Sequence, residues 1–94
     1  MKSQWLVVDL GRQCEIGQID LVWEAAYATG YRIQVSADNS TWSDLYSTTN
    51  GRGGTEHIPV SGVGRYVRLL GEHRSTAYGY SLWELGVIGL PVGP

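Results

Sequence analysis

In Tyr31-Arg32-Ile33-Gln34-Val35-Ser36, apolar and polar side chains alternate without a break. Successive side chains of a β-strand point to opposite faces. The pattern therefore puts Tyr31, Ile33 and Val35 on a buried face, and Arg32, Gln34 and Ser36 on a wet one. Ile19-Asp20-Leu21-Val22-Trp23 repeats the pattern, with apolar residues at its odd positions. Trp5 to Leu10 is more continuously apolar and reads as a strand covered on both faces. Tyr66 to Leu70 and Leu82 to Ile88 supply further strands. Nowhere do apolar residues recur convincingly at i, i+3, i+4 and i+7, so helix content should be minimal.

Turn-forming residues punctuate these segments at close spacing. Asp38-Asn39-Ser40 reads as a tight hairpin, and Asn50-Gly51-Arg52-Gly53-Gly54 offers residues tolerant of positive φ. Ser61-Gly62-Val63-Gly64 reads as a further loop. Short strands separated by glycine-rich turns predict an all-β sandwich or barrel. Residues 1–89 form the predicted domain, and 90–94, within Gly89-Leu90-Pro91-Val92-Gly93-Pro94, read as a linker or tail.

A chain of 94 residues is one small domain with a marginal core. Four Trp and six Tyr, with no Phe, compensate because each aromatic buries a large area. The net charge is −2 and Lys2 is the sole lysine, which excludes a nucleic-acid footprint of clustered cations. Cys14 stands alone, so no intrachain disulfide forms. No apolar run is long enough to span a bilayer, and Met1-Lys2 leads straight into strand-like sequence rather than a signal-peptide core.

Three segments, in order, carry a family resemblance. Trp5-Leu6-Val7-Val8-Asp9-Leu10-Gly11 comes first, and Trp23-Glu24-Ala25-Ala26-Tyr27-Ala28 running into Tyr31 to Ser36 comes second. The third is Arg65-Tyr66-Val67-Arg68-Leu69 followed by Tyr78-Gly79-Tyr80-Ser81-Leu82-Trp83-Glu84. Together, over residues 4 to 89, they resemble discoidin domains, the coagulation-factor type C domains whose bacterial members are family 32 carbohydrate-binding modules. The second and third segments resemble variants attached to bacterial glucanases and chitosanases.

The resemblance implies a jelly-roll β-sandwich of the galactose-binding-domain type, lacking the usual first strands. A sheet without them leaves an edge and apolar surface open, which leads to the expectation of a homo-oligomer formed through that edge. It also implies that the family's calcium site is mostly lost. Glu84 is the one matching ligand, calcium takes six to eight oxygens, and no cofactor is expected. Extracellular members from vertebrates close their ends with a disulfide that a lone Cys14 cannot make. Secretion is expected from the family alone.

Enzymatic readings find little support. The two histidines, His57 and His73, belong to no HExxH, and neither a nucleophile elbow nor a phosphate-binding motif is present. Gly51-Arg52-Gly53-Gly54 precedes a strand, not a helix. A Glu24/Glu84 pair could be imagined for glycoside hydrolysis, but Glu84 falls at a structural position of the family. The chain reads as no enzyme.

Sugar binding asks for an aromatic face against the C–H face of a pyranose and for rigid polar groups on its hydroxyls. In the resembled family the site is built from loops at one end of the sandwich. On this chain those loops hold Tyr27, Tyr78 and Tyr80 as aromatic candidates, and Glu24, Arg52, His73 and Arg74 as polar ones. Tyr80 can equally hydrogen-bond its own loop, and Arg74 can equally pair with Glu24 or Glu84. Trp5, Trp42 and Trp83 read as core, as does Trp23 by its alternation with Ile19 and Leu21. His57 reads as solvated.

A carboxylate such as Glu24 on the rim favours an amino sugar, through a charge-assisted hydrogen bond to its ammonium. The leading reading is therefore a non-catalytic module for chitosan or β-glucan, with galactose-type sugars next, attached to a secreted bacterial polysaccharide hydrolase. The alternatives are an adhesion or phospholipid-binding discoidin domain, and a self-assembling fragment without a ligand. The loops carry no Leu, Met or Phe spike and no Lys, which disfavours a membrane partner.

Overall fold

A computed structural model describes residues 4–24, 27–74 and 82–92. Five strands follow one another: β1 (Gln4–Trp23), β2 (Ala28–Ser36), β3 (Ser43–Thr48), β4 (Thr55–Arg74) and β5 (Leu82–Pro91). They form one antiparallel sheet in the order β3-β2-β4-β1-β5, with no helix among the described residues. The predicted all-β class is what the structure shows.

The sheet becomes a sandwich because its two long members serve both halves. The first half of β1 pairs with the last half of β4, from Gln4 opposite Gly71 to Asp9 opposite Tyr66. β2 flanks that part of β4, and β3 flanks β2. The second half of β1 pairs with the first half of β4 on one side and with β5 on the other. Between the halves the register breaks. Asp9 faces Tyr66 and Cys14 faces Gly64, so residues 10–13 of β1 oppose Arg65 alone. Such a bulge bends a strand and increases its twist.

Local chemistry holds the bend. Gly11 has φ +84°, a conformation that L side chains avoid. Its N–H donates to Asp9 Oδ1 at 2.8 Å. The Arg65 guanidinium closes on the same carboxylate with Nε to Oδ1 at 2.8 Å and Nη2 to Oδ2 at 3.0 Å.

Once folded over, the two halves share one core. Ile16, Ile19, Leu21 and Trp23 of β1 and Ile58 of β4 come from one side. Tyr31, Ile33 and Val35 of β2, with Val67 and Leu69 of β4, come from the other. The Trp23 and Tyr31 rings meet across the interior at 5.6 Å between centroids, tilted by 54°. The alternations read from sequence in 19–23 and 31–36 thus place the buried faces correctly.

Four expectations are corrected. Residues 5–10 and 19–23 are one strand, not two. Ser61 to Gly64 is no loop but the middle of β4, where Gly62 to Gly64 pair with Cys14 to Ile16. Its glycines answer to packing, because a Cβ on Gly62 would run into Leu45 Cδ2 and one on Gly64 into Val35 Cγ2. Third, the N-terminal half of β1 is not covered on both faces. Trp5 is 65% exposed and Leu6 47%, since among the described residues only β4 pairs with this stretch and nothing packs over Trp5. Fourth, Trp42 is not core. It lies half-buried just before β3, under the Arg68 guanidinium at 4.2 Å from its ring centroid. The Trp83 side chain lies outside the described residues. β5 continues through Pro91, two residues beyond the predicted domain end.

The hairpin at 37–42 follows its sequence signal. Asn39 has φ +62°, and the Asp38 carboxylate accepts the N–H groups of Ser40 and Thr41 at 2.9 Å each. The buried Ser36 hydroxyl donates to Asp38 Oδ1 at 2.9 Å and accepts the Asn39 N–H at 2.9 Å.

Two outcomes follow from the bend. Gly64→Ala should lower stability by about 1–3 kcal/mol in urea melts. Gly86→Ala, whose Cβ would meet Asp20 Cβ at an ordinary 3.5 Å, should leave the midpoint level or raise it. The Arg65 guanidinium, with the Gly11 N–H in second place, holds the Asp9 carboxyl down at about 2. A depressed acid contributes stability that is present above its unfolded value, about 3.9, and lost as pH falls through its folded one. Stability should therefore decline between about pH 4 and pH 2. Asp9→Asn should lower stability at neutral pH and make that acid limb shallower. Asp20, Asp38 and Asp44, lowered likewise by hydrogen bonds, keep part of it. Urea midpoints measured across the pH range check this.

Candidate functional site

The strand ends that flank three connections lie together at one end of the sandwich: those around 24–27 between β1 and β2, 49–54 between β3 and β4, and 75–81 between β4 and β5. Strand register brings them there. Ala28 faces Arg74, Gly30 faces His73, and Trp23 faces Leu82. Two backbone hydrogen bonds tie the second connection to the strand ends that flank the first, with Trp23 N–H donating to Gly54 O at 2.7 Å and Gly51 N–H to Thr29 O at 2.8 Å.

The glycines of 50–54 are required by how closely that loop approaches its neighbour. A Cβ on Gly51 would run into the Ala28 carbonyl oxygen. Gly53 is buried with φ +72°, and a Cβ there would stand 2.6 Å from Tyr27 Cδ1. The half-buried Tyr27 ring thus leans on the Gly53 backbone, which fixes its orientation. Arg52, between these glycines, is exposed, and so is Glu24 at the end of β1.

Glu24, Tyr27 and Arg52 are accordingly on adjoining loops, with the backbone of His73 and Arg74 beside them. The side chains of His73 and Arg74 lie outside the described residues, as do Tyr78 and Tyr80 entirely. Glu84 is exposed on β5, opposite Val22. Among the described residues, no group of three or more His, Cys, Asp or Glu is arranged to hold a metal ion.

Beneath the rim lies a residue that sequence reasoning missed. Glu56 accepts the Trp23 indole N–H on Oε1 at 2.7 Å and the Tyr31 hydroxyl on Oε2 at 2.9 Å. Burial, and then the hydrogen bond to Glu56, push the Tyr31 phenol far above its ordinary value, so it stays a neutral donor. Strand parity carried the signal. His57 points outward opposite Ile58, so Glu56 must share the inward face of Ile58. His57 is indeed exposed, but it is not merely solvated, because its Nδ1 stands 2.8 Å from Asp20 Oδ1.

The family model described as NedA-like, galactose-binding domain, of the F5/F8 type C group, matches residues 1–69. The chain belongs to that family. Among solved structures, this F5/F8 type C domain is similar to chitosan-binding module 1 of a chitosanase/glucanase from Paenibacillus sp. IK-5. The two share 44% identity over 95% of this chain and 70% of that one, with a TM-score of 0.89. Module 2 of the same enzyme, solved with chitotriose, gives 43% identity over 90% and 69%, and a TM-score of 0.87. A family 32 module of Clostridium perfringens (CpGH89CBM32-6) shares the fold at 17% identity over 95% and 71%, with a TM-score of 0.76. No curated protein sequence matches. The resemblance read from three segments therefore holds for the family, and the solved modules extend it beyond residue 69.

Glu56→Ala removes the acceptor of both Trp23 and Tyr31 at once. It should lower stability by about 1–3 kcal/mol, with Glu56→Gln losing less because an amide oxygen remains. Denaturant melts followed by tryptophan fluorescence report the loss.

Proposed function

We propose that this domain is a non-catalytic carbohydrate-binding module whose ligand is a β-linked glucosamine polymer of the chitosan type. β-Glucan follows as the next ligand class and galactose-type sugars after it. The observation that carries the reading is the exposed Glu24 carboxylate on the loop next to Tyr27 and Arg52. At 43–45% identity, the solved chitosan-binding modules support it.

Each residue has a task. The Tyr27 ring, held by Gly53, offers a face for the C–H groups of a pyranose. Glu24 accepts a charge-assisted hydrogen bond from the sugar ammonium. Arg52 offers a planar fork to vicinal hydroxyls. His73 and Arg74 from the end of β4, with Tyr78 and Tyr80 from the third connection, complete the site, and Glu84 stays structural. The role is retention of a polymer beside a hydrolase in the extracellular space. Single-site binding is weak, and avidity comes from tethering or from several copies. Copies associate through residues 4–9 of β1, whose apolar edge carries the exposed Trp5 and Leu6.

Titration of tryptophan fluorescence and heat with chitotriose, laminaritriose and galactose tests the reading, with light scattering on the same sample. Chitotriose should bind saturably and best. Glu24→Gln should weaken it about tenfold or more, and raising the pH until the sugar amine deprotonates should do the same. Equal binding of laminaritriose and chitotriose, indifferent to Glu24→Gln, would overturn the amino-sugar assignment.

A further inference from the structure

An open depression on the wet face of β2, β3 and β4 adjoins the loop-end site through Thr49 and Asn50. It has a volume of about 340 Å3 and is lined by Arg32, Ser47, Thr48, Thr49, Asn50 and Glu72. Every lining side chain is polar: three hydroxyls, an amide, a guanidinium and a carboxylate. Its place follows from the strand pattern, because Arg32 lies on the polar face of the alternation that buries Tyr31 and Ile33.

The polar groups are already positioned. Arg32 Nε donates to both oxygens of Glu72 at 3.2 Å, and Nη1 to Asp44 Oδ2 at 2.8 Å. Gln34 Nε2 donates to Asp44 Oδ1 at 2.9 Å, and Gln34 Oε1 accepts from Arg68 Nε at 2.8 Å. Arg68 is in turn stacked on Trp42. At the upper rim the Asn50 N–H donates to Thr48 Oγ1 at 3.0 Å, setting the turn into the loop. A network bonded end to end loses little side-chain freedom when it takes a ligand. It stays accessible, with the Arg32, Asp44 and Glu72 side chains 42%, 42% and 37% exposed.

Charge narrows the ligand class. The lining pairs one guanidinium with one carboxylate, and Asp44 beside it is matched by Arg68 through Gln34, so the site carries no net charge; its hydroxyls and amide suit neutral hydroxyl-rich groups, and Glu72 can accept from an ammonium. Position narrows it further. Asn50 opens the very loop whose Arg52 and Gly53 build the loop-end rim, and Glu72 precedes His73 and Arg74 on β4. A polymer held at the rim and leaving over Asn50 runs into this cavity.

We infer that the Arg32–Glu72 cavity is a chain-extending subsite that binds the hydroxyl and amine groups of the next units of a neutral or cationic polysaccharide. The inference rests on the sugar-binding reading above. The subsite adds affinity for long ligands and leaves short ones to the loop end.

The test compares glucosamine oligomers of two and six units by calorimetry, in the wild type and two variants. Glu72→Gln removes the carboxylate. Ser47→Leu fills the cavity from the exposed side of β3 and leaves the Arg32 clamp in place. The hexamer should bind the wild type about tenfold more tightly than the dimer. Both variants should lose that gain and keep the dimer affinity. Amide shifts of Ser47 and Thr48 on β3 should move with hexamer and not with dimer. Equal affinity for dimer and hexamer in the wild type, or a length gain that survives in both variants with those amides still, would overturn the subsite and leave the loop-end reading standing. Silence of the wild type towards every oligomer would bring down both readings together.

Discussion

Everything in this fold hangs on two strands changing direction at the same level. β1 and β4 each run the length of both halves, and they bend where residues 10–13 of one pass Arg65 of the other. Asp9, Gly11 and Arg65 supply the bend with a carboxylate, a positive φ and a guanidinium. Gly62 and Gly64 let β2 and β3 come close behind it. Had the strands run on straight, Tyr31, Ile33 and Val35 would face water, and no core could form around Ile19 and Leu21.

The loop end inherits its order from that core. Trp23 closes β1 inside the sandwich, gives its indole N–H to Glu56 and its backbone N–H to Gly54. One residue therefore links the packed interior to the loop that carries Arg52. Glu24 follows it directly and is exposed. These anchors give the described part of the candidate rim, Glu24, Tyr27 and Arg52, a fixed base in the packed interior.

Much of this was legible in the sequence, for reasons that can be located. Alternation exposed the buried faces of 19–23 and 31–36, because a half-buried strand must alternate. The order of Trp5, Trp23-Glu24, Tyr31 and Arg65 to Leu69 marked the family. The same logic misread Ser61 to Gly64, since glycines that make room for Val35 and Leu45 look identical to glycines that make a turn. Trp5 and Trp42 were misplaced because an aromatic in a strand pattern shows its face but not whether another layer covers it. Glu56 escaped notice because an inward carboxylate breaks the hydrophobic rule, and its partners Trp23 and Tyr31 lie far away in sequence. The Arg32 cavity needs three strands side by side, which no single window can display.

The pairing of Gln4 with Gly71 also says something about time. The β2–β3 hairpin can close early, because only a short turn separates its strands. The central β1–β4 ladder joins residues from 33 apart, at Val22 and Thr55, to 67 apart, at Gln4 and Gly71, so it must wait for a large loop to close. Until it does, Trp5, Leu6, Ile88 and Leu90 lie on strands still lacking their final partners. The slow long-range ladder therefore sets how long the apolar strands of this domain stay uncovered during folding.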